Sequence, residues 1–132
     1  MTLVERARSQ LGVKWVHQGR VPGVALDCAG LVLYALDKQD VPDYGRNPAH
    51  GKLEAAVTHF TGTPPLDGVD DLQEGDIVVM AYGGDGRHVG IVAKDCYGQI
   101  SIIHSDSMVG CVTEHPLDVR WRRRVRHVWR VA

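Results

Sequence analysis

Past residue 76 the chain becomes a series of short β-type runs separated by turn residues, and this change of period is its strongest constraint on fold. Ile77 to Ala81, Arg87 to Ala93, Gln99 to His104, Cys111 to His115 and Arg126 to Val131 each read as a strand. Helical spacing of apolar residues is confined to what comes before, at roughly residues 2–11, 28–38 and 51–60. The first run stops at Gly12. The second carries Leu31, Val32, Tyr34, Ala35 and Leu36 on an apolar side for the sheet and ends wet at Asp37, Lys38, Gln39 and Asp40. Val13 to Leu26 reads as a loop with a Pro22-Gly23 turn, and Asp40 to His50 as another. Thr61 to Asp71, with Gly62, Pro64, Pro65 and Gly68, is an irregular connector. Helices followed by strands predict an α+β fold, with the helices gathered before an antiparallel sheet of about five strands. A chain of 132 residues fits one domain, 1–132, large enough to bury a core without disulfides or metal.

The chemistry concentrates at Leu26-Asp27-Cys28-Ala29-Gly30-Leu31-Val32, where a cysteine falls on the first turn of an apolar helix. Unpaired N–H groups and the helix dipole favour an anion there, and a cationic partner can lower a thiol from about 8.5 to roughly 3.5–7.5. Cys28 is therefore the candidate nucleophile, and Asp27 the cap of its helix. Cys96, in a turn, and Cys111, at a strand start, lack this setting and read as incidental.

Of seven histidines, His88 and His104 stand out, each in a strand, joined through Lys94-Asp95-Cys96-Tyr97-Gly98 as a hairpin. An odd loop makes pairing numbers sum to an even value such as 192. That sum sets His88 opposite His104, with Gly90/Ile102 and Val92/Ile100 following on the same face. Directly opposed Cβ atoms lie about 4.5–5.5 Å apart, so one ring can orient the other. An even loop would instead rotate His104 to the other face. His17 lies in the first loop. His50, His59, His115 and His127 read as structural or exposed.

Cysteine, then histidine, then histidine, with Asp-Cys-x-Gly-Leu-Val opening a helix and Arg-His-Val-Gly-Ile-Val opening a strand, resembles the NlpC/P60 cysteine peptidases. The resemblance begins at Leu11-Gly12, runs through Trp15 to Arg20, Asp27 to Val32 and Gln73 to Val78, and ends in His88-Val89-Gly90-Ile91 and Ile103-His104. The segment His17-Gln18-Gly19-Arg20 looks most like the phage-tail and gene-transfer-agent branch. The resemblance implies a papain-like fold, Cys28 as nucleophile, His88 as general base and His104 as the residue orienting it. The implied substrate is the D-γ-glutamyl to diaminopimelate link of peptidoglycan stem peptides, cleaved to help DNA enter a cell, with other phage-tail proteins as partners. Trp15, His17 and Asp27 are expected to line the substrate cleft, Asp27 by binding a free amine. Two positions depart from the family: Trp15 stands where a tyrosine is common, and Ala29 where a serine is. Neither supplies a hydroxyl, so any oxyanion or substrate contact that those hydroxyls make in the family is replaced or absent here.

No cofactor is called for. A rival reading makes Cys28, His88, His104 and His17 zinc ligands, and another makes the chain a tail structural protein with a degenerate site. A net charge of −1 gives no general attraction to nucleic acid. Arg120, Arg122, Arg123, Arg124, Arg126 and Arg130 crowd one stretch, read as a solvated edge strand held apart from other chains by charge. No run approaches the roughly 20 apolar residues that span a bilayer, and the N-terminus lacks a signal-peptide core. The expectation is a soluble protein made in the cytoplasm, without a membrane partner, carried to the periplasm or cell wall in a tail particle.

Overall fold

A computed structural model describes residues 1–39, 52–84 and 86–131, leaving aside the side chain of Lys52. The expected loop from Asp40 to His50 and the Gly51 start of the third helix lie outside the described residues. The elements in chain order are α1 (Leu3–Arg8), β1 (Arg20–Val21), β2 (Ala25–Leu26), α2 (Cys28–Ala35), α3 (Lys52–Thr61), β3 (Ile77–Ala81), β4 (Arg87–Lys94), β5 (Ile100–Asp106), β6 (Cys111–Pro116), α4 (Val119–Arg122) and β7 (Val125–Trp129). The last five strands form one antiparallel sheet in the order β6-β5-β4-β3-β7. The fold class is α+β.

Strand alternation divides the sheet into two faces. Ile77, Val79, Val89, Ile91, Ala93 and Ile103 pack with Leu31 and Val32 of α2, Leu53 and Val57 of α3, and Val4 and Ala7 of α1. Val78, Met80, Val92 and Ile102 face the other way, under Leu117, Val125, Val128 and Trp121. Along β4 the first face takes Val89 and Ile91, so the second takes His88 and Gly90.

Four sequence expectations need correcting, the last of them the register of the β4–β5 hairpin described below. Helices are not confined to the region before the sheet: α4 follows β6, capped by the Asp118 carboxylate, which accepts from Trp121 N at 3.0 Å. One polar turn carries too little periodicity to show in the sequence. A two-stranded ribbon, β1 with β2, lies within the Val13 to Leu26 loop. The arginine stretch is only in part an edge strand. Arg126 is exposed on β7, which is an edge, but Arg120 and Arg122 sit in α4.

Arg130, just past β7, holds both oxygens of the buried Asp76 at 2.9 Å. This ion pair ties the end of the chain to the start of β3. Removing the cation leaves a carboxylate buried without its counter-charge. Arg130→Met is therefore expected to lose about 2 kcal/mol in urea denaturation, and an unchanged midpoint would contradict it.

The β4–β5 hairpin has the expected face but a different register. Its pairs are Ile91 with Ile103, Val92 with Ile102, Ala93 with Ser101 and Lys94 with Ile100, so they sum to 194, not 192. Asp95 N bonds Gln99 O at 2.9 Å, leaving a three-residue loop, Cys96-Tyr97-Gly98, in which Gly98 takes φ 79°. That left-handed position suits glycine and closes the hairpin. A shift of two residues keeps every side chain on its face. The histidines are therefore diagonal, not opposed. Continuing the ladder sets Gly90 opposite His104, and a Cβ on Gly90 would lie 3.3 Å from His104 Cβ and 2.8 Å from Ile102 Cδ1.

On the far side, residues 12–15 run beside β6 as a strap. Gly12 N bonds Val112 O, Val112 N bonds Val13 O, and Trp15 N bonds Gly110 O, each at 2.9 Å.

Candidate active site

Cys28 begins α2 because Asp27 ends the extended backbone before it: Asp27 has φ −90° and ψ −172°, and its carboxylate accepts from Gly30 N at 2.8 Å. The same carboxylate pairs with Arg20 of β1. Asp27 N donates to Gly19 O at 3.2 Å, and the Ser105 hydroxyl donates to Leu26 O at 2.6 Å. The helix start is thus tied to both the ribbon and β5. Both known bonds of the Asp27 side chain serve the cap and Arg20, as its sequence position predicts.

Cys28 packs against the core on the α2 face of the sheet, and the N–H groups of Val89, at the start of β4, and of Ala29 act to lower its thiol. Its pKa nevertheless moves opposite to the sequence expectation. Burial, and then the charge of Asp27, push the thiol up to about 11, outweighing those N–H groups and Arg20. The resting group is a protonated thiol. The carboxylate that caps the helix so well is part of what raises it.

His88 and His104 are both buried, 5% and 0% exposed. His88 Nε2 lies 2.7 Å from His104 Nδ1, with the rings edge-on at 4.9 Å between centroids. Burial lowers His88 to about 3, helped by His104 and Arg124 and opposed by Asp106. It lowers His104 to about 4, with Asp106 opposing and His115 assisting. Both rings are neutral in the resting protein. Among the described residues no hydrogen bond joins Cys28 to His88. With Nε2 spent on His104, the nitrogen left over is Nδ1, the one nearer the backbone.

Groups that the sequence did not single out complete the surroundings. Tyr82 stacks on His88, centroids 4.7 Å apart, and its hydroxyl donates to Asp106. Burial works to raise Asp106, but that hydroxyl, Met108 N–H and the two histidines outweigh it and hold the carboxyl below its usual range. Asp106 is thus an anion whose field favours a proton on either imidazole. Trp121 covers His104 at 5.1 Å, and Arg124 lies over Trp121 at 4.5 Å. The sequence signal for Asp106 was parity: it is two residues beyond His104 on one strand.

The structure therefore brings Cys28, Asp27, His88 and His104 to one end of the sheet. Trp15 and His17 come no closer than the loop leading there. Trp15 is half-buried and tied to β6 through its main chain, His17 is exposed, and among the described residues neither side chain bonds Cys28, His88 or His104. His88 and His104 meet as hydrogen-bond partners and not at the spacing of two zinc ligands through those nitrogens. Two nitrogens bound to one tetrahedral zinc at about 2.0–2.1 Å lie about 3.4 Å apart, whereas His88 and His104 touch at 2.7 Å as hydrogen-bond partners.

Fold and site define a class: an α+β protein with a thiol at a helix start and buried imidazoles in file on the adjoining strands. The chain belongs to the NlpC/P60 family, whose model matches residues 12–130. Members of this family are typically cell-wall peptidases. Among solved structures it is similar to an NLP/P60-family protein, similar to lipoprotein, from Staphylococcus aureus, with TM-score 0.64, 18% identity, and coverage of 98% of this chain and 40% of that one. NlpC1 from Trichomonas vaginalis matches with TM-score 0.67 and 17% identity over 97% of this chain and 42% of that chain. The P60 domain of an antigen from M. avium subspecies paratuberculosis matches with TM-score 0.63 and 19% identity, over 98% of this chain and 91% of that domain. The chain thus spans less than half of the first two relatives. No curated protein matches it.

Proposed function

We propose that this protein is a cysteine endopeptidase of peptidoglycan stem peptides, with Cys28 as nucleophile, His88 as general base and His104 as its orienter. The observation that supports the reading is the 2.7 Å bond that engages Nε2 of His88 with His104 and leaves Nδ1 without a hydrogen bond among the described residues. Because the thiol is protonated at rest, deprotonation accompanies attack: His88 Nδ1 takes the Cys28 proton as the sulfur adds to the amide carbonyl. The Asp106 anion and the His104 bond stabilise the imidazolium that forms. His88 then returns its proton to the leaving amine, and water hydrolyses the thioester. The Cys28 main-chain N–H, at the helix start, is the proposed donor to the developing oxyanion.

The D-γ-glutamyl to diaminopimelate link is the proposed bond, with Trp15 and His17 as cleft wall. Asp27 would meet a substrate amine only by sharing its carboxylate with Arg20. The His17-Gln18-Gly19-Arg20 segment supports assignment to a phage-tail or gene-transfer-agent hydrolase that acts beyond the cytoplasm with other tail proteins.

The test is digestion of purified sacculi by the protein and by Cys28→Ala, with products read by mass spectrometry. New glutamyl carboxyl and diaminopimelyl amino ends are expected from the parent only. Equal products from both, or none from the parent, would overturn the reading.

A further inference from the structure

The two imidazoles do not end the file. His104 Nε2 lies 2.8 Å from His115 Nε2, and His115 Nδ1 lies 2.9 Å from the carbonyl oxygen of Pro116. Three neighbouring strands, β4, β5 and β6, each supply one ring. Pairing of His104 with Thr113 puts residue 115 on the same face, one diagonal step along. Trp121 packs on both outer rings, 5.1 Å from His104 and 4.7 Å from His115. His115 itself is half-buried.

A carbonyl oxygen can only accept, so the bond to Pro116 requires the proton of neutral His115 to sit on Nδ1. Its Nε2 then has only a lone pair to offer. His104 must donate from Nε2, which leaves His104 Nδ1 as an acceptor. His88 in turn must donate from Nε2, and its Nδ1 is left bare. Each step follows from the one before, because a neutral imidazole has a single proton.

We infer that His115 is a positioning residue for the proposed peptidase site: anchored on the Pro116 carbonyl, it fixes the tautomers of His104 and then His88, so that His88 presents a lone pair and not a proton towards Cys28. His104 alone cannot do this. A ring with one proton and two faces can equally accept at Nε2 and donate at Nδ1, which would hand His88 the wrong tautomer. The direction of the file is set at its outer end. The inference rests on the peptidase reading only for the reaction that the bare Nδ1 serves, since the tautomers themselves are a property of the resting protein.

The experiment compares the parent with His115→Gln, His115→Phe and His115→Lys in the full chain. Protons on the imidazole nitrogens are read by two-dimensional ¹H–¹⁵N correlation, and hydrolysis by release of stem-peptide ends. In the parent, His88 is expected as the Nε2–H tautomer with an unprotonated Nδ1. Glutamine, which supplies an acceptor oxygen, should keep that pattern and hydrolysis within about threefold. Phenylalanine fills the ring's space without an acceptor and should mix the tautomers, with kcat falling at little changed KM in proportion to the share of His88 that carries its proton on Nδ1, about twofold for an even mixture. Lysine supplies only donors, so it should reverse the file and put the proton on His88 Nδ1. Thermal denaturation of each variant separates this from unfolding: the folded Phe form must still show the mixed tautomers. A parent His88 protonated at Nδ1, or Phe and Lys variants with parental tautomers, would overturn the inference. Expected tautomers without hydrolysis by any form would support the file while overturning the peptidase reading.

Discussion

Alanine at position 30 is expected to destabilise the protein by about 3 kcal/mol or more, lowering the melting temperature by about 10 °C. Judged from helix propensity alone the sign should be the reverse. Gly30 lies in the first turn of α2, and glycine to alanine in a helix ordinarily gains up to about 1 kcal/mol. Tertiary contact decides otherwise. A Cβ at position 30 would come within 3.0 Å of the Gly19 carbonyl oxygen, closer than real Cβ atoms approach. That oxygen cannot yield freely, because it accepts from Asp27 N at 3.2 Å and from Arg20 Nη1 at 2.9 Å. Gly19 is pinned in its turn, since a Cβ there would lie 2.9 Å from the carbonyl carbon of Ala25. Making room for one methyl therefore means lifting the ribbon off the helix that carries Cys28. Urea denaturation and thiol alkylation should change together, with Cys28 labelled faster in Gly30→Ala than in the parent. A variant as stable as the parent would mean that the ribbon moves at little cost.

Stability should also fall steeply on mild acidification, before any carboxylate is involved. Both His88 and His104 are held by burial below the ordinary imidazole value of 6.5. Above that pH the folded and unfolded chains both carry neutral rings, and the two residues add nothing to the slope. Below it the unfolded chain takes up two protons that the folded chain refuses. Unfolding then gains up to about 2.7 kcal/mol per pH unit, continuing until the pH nears the folded values. The carboxylates of Asp106 and Glu114, held below ordinary values of 3.8 and 4.5, come into play only further down. Chemical denaturation from pH 8 to pH 5 should show a plateau down to about pH 6.5 and then a decline. A flat profile to pH 5 would mean that the two rings are protonated in the folded state. The acid limit of activity should coincide with unfolding, since the base itself stays neutral throughout this range.

Much of this was legible in the sequence because the relevant signals are local. Ile77 to Ala81 matches β3 to the residue, and Cys28 opens its helix behind Asp27. Parity alone placed His88 and His104 on one face. What was not legible depends on distances between segments far apart in the chain. The register slipped by two because loop length follows from Gly98 adopting a left-handed backbone, which a Gly in sequence permits but does not require. The thiol's raised pKa arises from burial, which overrides the helix-start argument and has no local signature. His115 looked ordinary because its meaning comes from two other strands and one carbonyl. Trp15 ends the strap beside β6 and His17 lies in the loop after it, a placement set by main-chain bonds to a strand about a hundred residues away.

That strap has a further effect at the sheet's outer margin. A free edge strand offers a row of unpaired main-chain groups that another molecule can copy, the usual seed of amyloid-like stacking. Main-chain groups of Gly12, Val13 and Trp15 occupy this side of β6 and the turn before it, and at the opposite margin Leu66 N takes the Val128 carbonyl at 2.7 Å. Each contact shortens the run of free main-chain groups that a second copy could pair with at that margin.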